Sequence, residues 1–128
     1  MPNFNLEQVL ASYIWSSHDN DTYLDNGEYE LAPITKLEMR REVNQFFNLL
    51  ELYIMPTGST LLKSANEYQD DEHIAHDFWL TRNGHGAGFW DGDYKCEDQD
   101  LGDILTAIAQ TFAEVNLYIG DDGLIYQA

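Results

Sequence analysis

Basic residues and cysteine are what this sequence has least of. Its 128 residues include 6 Lys and Arg against 23 Asp and Glu, giving a formal net charge of -17 and a pI near 4.1. Affinity for a phosphate backbone comes chiefly from Lys and Arg neutralising phosphates, so direct binding of nucleic acid is not expected. Anionic membranes are disfavoured for the same reason. Cys96 is the single cysteine, so there is no internal disulfide framework and a cytosolic setting is expected. No apolar run is long enough to span a bilayer, and "MPNFNLEQVLASYIW" carries Glu7 rather than a basic and apolar leader.

Chemical signatures are sparse too. There is no C-x-x-C, no H-E-x-x-H and no G-x-S-x-G. "GHGAG" departs from the G-x-G-x-x-G spacing and is followed by no Lys-Ser or Lys-Thr, which argues against a phosphate loop. A calcium loop beginning at Asp91 needs an oxygen ligand at position five, Gly at six and Glu at twelve; the chain offers Lys95, Cys96 and Gly102. Cys96 lies among Asp93, Glu97 and Asp98, whose charge disfavours a nucleophilic thiolate. Neither a catalytic residue nor a cofactor is therefore expected. An irregular divalent-ion site among the carboxylates, or one drawn from His73, His76, His85 and Cys96, is left open.

What the chain does have is apolar content, 44% hydrophobic and 13% aromatic, enough for an ordinary core in one domain over residues 1–128. Leu6, Val9, Leu10, Tyr13 and Ile14 give helical spacing over Asn5 to Ser17. An acidic loop follows, with an extended piece near Tyr29 to Leu31. A long helix is predicted over Ile34 to Ile54, from a Thr35/Glu38 capping box and the stripe Leu37, Val43, Phe46, Phe47, Leu50 and Ile54. Lys36, Arg40 and Arg41 hold half of the basic residues there, and local pairing with Glu38 and Glu42 is expected. A third helix is predicted from about Ser59 to Asp71, ending in "QDDEH", whose acids would oppose the macrodipole at a C-terminus.

The stretch "HDFWLTRNGHGAGFWDGDY" reads as a hairpin turning at Asn83-Gly84, with Phe78, Leu80 and Phe89 on one face and Trp79, Thr81 and Trp90 on the other. Gly86 and Gly88 imply a bulge, a bend or a group approaching the backbone closely. Leu101 to Ala113 has helical core spacing, and "EVNLYIGDDGLIYQA" is a hairpin turning at Asp-Gly. The fold class is α+β, about four helices with two β-hairpins, and whether the hairpins share one small antiparallel sheet is left open.

With "DFWLTRNGHGAGFWD" and "LYIGDDGLIY" the chain resembles a group of small acidic proteins encoded by bacteriophages and mobile elements. The resemblance implies work in a bacterial cytoplasm, on host machinery, and assigns no residue a role. The expected function is that of a non-enzymatic accessory protein that binds and modulates a host protein. That partner would have a basic surface or a nucleic-acid-binding groove, which suits a nucleic-acid mimic or an inhibitor of a defence or DNA-handling system. The partner-binding residues are expected in Glu67, Asp70, Asp71, Glu72 and Asp77, and in Asp91, Asp93, Glu97, Asp98, Asp100 and Asp103. A further acidic run covers Asp19, Asp21, Asp25, Glu28 and Glu30, while Trp79 and Trp90 serve as surface anchors. The alternative is a small ligand- or metal-binding domain, catalytic or not, on the Gly84 to Asp93 loop with Arg82, Asn83, His85 and Asp91. A homodimer through an apolar face is left open.

Overall fold

The computed structural model describes residues 18–19, 22–23, 30–83, 88–89, 94 and 101–128. The helix expected over Asn5 to Ser17 lies outside them. Within them the architecture is α+β, with four helices and a three-stranded mixed sheet. Where an irregular acidic loop was expected, β1 (His18–Asp19) and β2 (Thr22–Tyr23) pair antiparallel. β3 (Glu30–Leu31) then leads into α1.

Helix α1 (Pro33–Leu52) opens on proline, whose fixed φ and missing N–H suit a first helical position. The expected capping box does not form. Ala32 is the N-cap and no side chain caps the helix; the Thr35 hydroxyl instead donates to the Ile125 carbonyl at 2.8 Å, buried between helix and sheet. Met39, Val43, Phe46, Phe47 and Leu50 form the inward stripe. Leu37 and Ile54, expected in that stripe, are exposed.

After α1 the chain reverses through Gly58, at φ +92°, closed by Met55 N–H to the Ser59 carbonyl. Thr60 caps α2 (Leu61–Asn66), its Oγ1 accepting from Lys63 N–H. The expected third helix stops five residues early. Asp70 is the cap of a new helix, α3 (Asp71–Arg82), with Oδ1 accepting from His73 N–H at 2.8 Å. Asp71 and Glu72 therefore stand at a helix N-terminus, where the macrodipole favours them, and not at a C-terminus where it would oppose them.

The predicted hairpin over His76 to Tyr94 is thus overturned, since "HDFWLTR" is helical. From Ile74 to Arg82 every α3 residue except His76 is buried, so the usual polar face is missing and aromatic alternation imitates a strand. Helix α4 (Leu101–Ala109) ends four residues before the expected boundary. β4 (Leu117–Ile119) and β5 (Leu124–Gln127) form the hairpin expected at Asp-Gly, with Gly123 at φ +80° and Tyr118 opposite Tyr126. β5 is the central strand, antiparallel to β4 and parallel to β3 through Leu31 and Ile125, so the sheet is mixed.

The core lies where α1, α3 and α4 meet. Phe46 stacks on Phe78 at 4.3 Å, Phe112 meets Phe78 edge-on at 5.0 Å, and Phe89 packs against Phe46 and Tyr94. Burying each such side chain contributes about 2 kcal/mol.

Candidate functional site

Helix α3 carries the polar groups of the interior. Asp77 is buried, accepts from Tyr94 O–H at 2.7 Å, and has its Oδ2 3.1 Å from Nε2 of the half-exposed His73 one turn earlier. Asp77 is thus turned away from any acidic surface. Trp79 is also buried, at 2% exposure, and packs the core where a surface anchor was expected.

At the end of α3, Arg82 is buried. Its Nη2 donates to Glu42 Oε2 at 3.0 Å, Nε and Nη2 both donate to the Ala113 carbonyl, and the guanidinium sits over the rings of Phe78 and Phe112. Glu42 Oε1 accepts from Gln127 Nε2, so this carboxylate reaches across to α3 and β5 as well as standing among the cations of its own helix. Asn83 Oδ1 accepts from Val115 N–H at 2.9 Å. Arg82 and Asn83 therefore join α1, α3, β5 and the segment after α4 and are committed to the fold. The other members of the expected ligand loop, including His85 and Asp91, lie outside the described residues.

Gly88 supplies the close approach anticipated from its glycine. Its φ is +105°, and an added Cβ would lie 2.5 Å from Thr81 Oγ1 and 3.2 Å from the Asp77 carbonyl. Next to it, Phe89 N–H donates to Thr81 Oγ1. Gly86 lies outside the described residues.

Glu67, Asp70, Asp71 and Glu72 are gathered at the junction of α2 and α3, where Asn66 Nδ2 donates to Asp71 Oδ1. Asp103 is exposed in the first turn of α4. Asp93, Glu97, Asp98, Asp100 and Trp90 lie outside the described residues. Lys36, Arg40 and Arg41 are on α1, and the last two flank a shallow groove of about 460 Å³ with Leu37, Asn44, Gln45 and Asn48. No group of three His, Cys, Asp or Glu side chains that could hold a metal ion occurs among the described residues. No described helix is long and apolar enough to cross a membrane.

One arrangement was missed from the sequence. On the β4–β5 hairpin, Tyr118 and Tyr126 stack across the strands at 5.9 Å and 26°. With Ile119, Gly120, Asp121 and Asp122 they line an open hollow of about 580 Å³. Tyr126 O–H donates to Asp122 Oδ2 at 2.6 Å, and Asp122 Oδ1 accepts from Leu124 N–H. These bonds hold the Asp122 carboxyl below its ordinary value, and the same bond raises the Tyr126 phenol. Gly120 makes room for the ring, since a Cβ there would meet Tyr126 at 2.6 Å. The register of the Asp-Gly turn was the available signal, because it sets the two tyrosines opposite each other.

The chain matches no family model, no curated protein and no solved structure.

Proposed function

We propose that this is a non-enzymatic acidic accessory protein of the bacteriophage type, which binds and modulates a host protein with a basic surface or a nucleic-acid-binding groove. It acts in the bacterial cytoplasm as a nucleic-acid mimic or as an inhibitor of a defence or DNA-handling system. The observation that carries this reading is the sorting of charge. Among the described residues from 30 onward, Asp77 is the one buried carboxylate, and the others are exposed or half-buried. Of the cations among the described residues, Arg82 is enclosed in the fold, Lys36, Arg40 and Arg41 are collected on α1, and Lys63 is exposed on α2. Away from α1, Lys63 is outnumbered among the described residues by Glu67, Glu72, Asp103, Asp121 and Asp122, a net negative field that steers basic partners and repels phosphates.

The test is capture from bacterial lysate on the immobilised protein at moderate salt, repeated with excess duplex DNA. A retained nucleic-acid-handling protein that DNA displaces, and that Glu67→Lys with Glu72→Lys and Asp103→Lys weakens, is the expected result. Retention of nothing under either condition would overturn the proposal and reduce the charge to a solubility device.

A further inference from the structure

We infer that the hollow on the β4–β5 hairpin is a binding site for the guanidinium of an arginine side chain presented by a partner protein. This rests on the reading of a basic partner and gives that partner a point of attachment.

The hollow combines the two things that recognise a guanidinium. Tyr118 and Tyr126 supply π faces, which attract a cation lying within about 6 Å of the ring centre. Tyr118 remains 41% exposed although it stacks on Tyr126, so ring surface is open to a ligand. Asp121 and Asp122 supply negative charge at the rim, and planar guanidinium suits both a ring face and a carboxylate better than a point-charged ammonium does.

The site is also held in shape before any ligand arrives. Tyr126 is fixed at its hydroxyl by Asp122, and Asp122 is fixed in turn by Leu124 N–H. Gly120 lets the Tyr126 ring lie close against the turn backbone. Cross-strand pairing of residues 117–119 with residues 125–127 sets the spacing of the rings. Such fixing reduces the ordering cost of binding. An uncharged ligand lacks the charge that Asp121 and Asp122 attract, and an anionic one is repelled by a chain of net charge -17.

The probe is N-acetylarginine methylamide, followed by NMR at moderate salt, with the isosteric but uncharged N-acetylcitrulline methylamide as control. The expected result is saturable shifts of the Tyr118 and Tyr126 ring signals and of the Gly120 and Asp121 amides with the arginine compound alone. Tyr118→Leu should weaken that binding about fivefold, while cross-strand contacts between Leu117 and Gln127 show that the hairpin is intact. Shifts spread evenly over all surface carboxylates, or affinity unchanged in Tyr118→Leu, would overturn the site. Its failure is separable from that of the broader reading. A lysate partner bound equally well by Tyr118→Leu removes the site and keeps the partner, whereas arginine binding with no lysate partner keeps the site and removes the partner.

Discussion

Arg82 and Glu42, forty residues apart, meet with Nη2 3.0 Å from Oε2, the guanidinium buried and the carboxylate half-buried. The guanidinium also satisfies the Ala113 carbonyl, so its removal strands two acceptors at once. Arg82→Met is expected to destabilise the fold by about 3 kcal/mol, measured by urea unfolding, and the double variant with Glu42→Met to recover part of that loss. A loss under about 1 kcal/mol would put the pair in the class of exposed ion pairs.

Two glycines separate strain from crowding. Gly58 and Gly88 both have positive φ, but an added Cβ meets nothing within 4 Å at Gly58 and Thr81 Oγ1 at 2.5 Å at Gly88. Gly58→Ala should therefore cost about 1 kcal/mol, for the left-handed backbone alone. Gly88→Ala should cost about 3 kcal/mol, because helix α3 must also give way. Equal melting temperatures for the two variants would contradict this ordering.

The Tyr94 hydroxyl donates to the buried carboxylate of Asp77 while the Tyr94 ring packs on Phe89. Tyr94→Phe keeps the ring and removes the donor, so the variant should lose about 2 kcal/mol in chemical denaturation. Asp77→Asn keeps an acceptor for the hydroxyl and should lose less.

The hairpin bond between Tyr126 and Asp122 sets a pH window. Asp122 has its folded value lowered from 3.8, chiefly by the Tyr126 hydroxyl and then by Leu124 N–H. The unfolded chain therefore takes up this proton first on acidification; the bond stabilises above 3.8 and its contribution is lost as pH falls through the folded value. Tyr126 has its phenol raised from 10.0, chiefly by donation to Asp122, so its contribution is present below 10.0 and lost as pH rises through the folded value. Asp122→Asn should bring the Tyr126 ring titration, followed by NMR, back toward 10.0. An unchanged titration would remove the bond as its cause.

Local chemistry was legible in the sequence where it alone decides the structure. The Asp-Gly turn announced β4 and β5, and the spacing of Val43, Phe46, Phe47 and Leu50 announced the inner face of α1. Helix α3 was misread because burial on nearly all sides erases the amphipathic period, and Phe78, Trp79 and Leu80 then carry the composition of a strand. "QDDEH" was misread for want of one fact, that Asp70 caps forward onto His73. The pairing of β3 with β5 and the partnership of Arg82 with Glu42 depend on segments far apart in the chain, which no local pattern encodes. The tyrosine hollow lay in between, since its register was readable and its partners were not.

The pairing of β3 with β5 joins segments far apart in the chain, and that separation bears on folding kinetics. Helices α1 to α4 are built from sequence neighbours and form on short timescales, whereas β3 can find β5 only by closing a long loop. The Thr35 hydroxyl and the Ile125 carbonyl that clasp this joint are 90 positions apart. The joint is expected to close after the main barrier, so Thr35→Val, close in volume but without the donor, should speed unfolding while leaving refolding nearly unchanged. In stopped-flow experiments the sheet then reports as a latch, which governs how long the folded molecule lasts more than how quickly it is made.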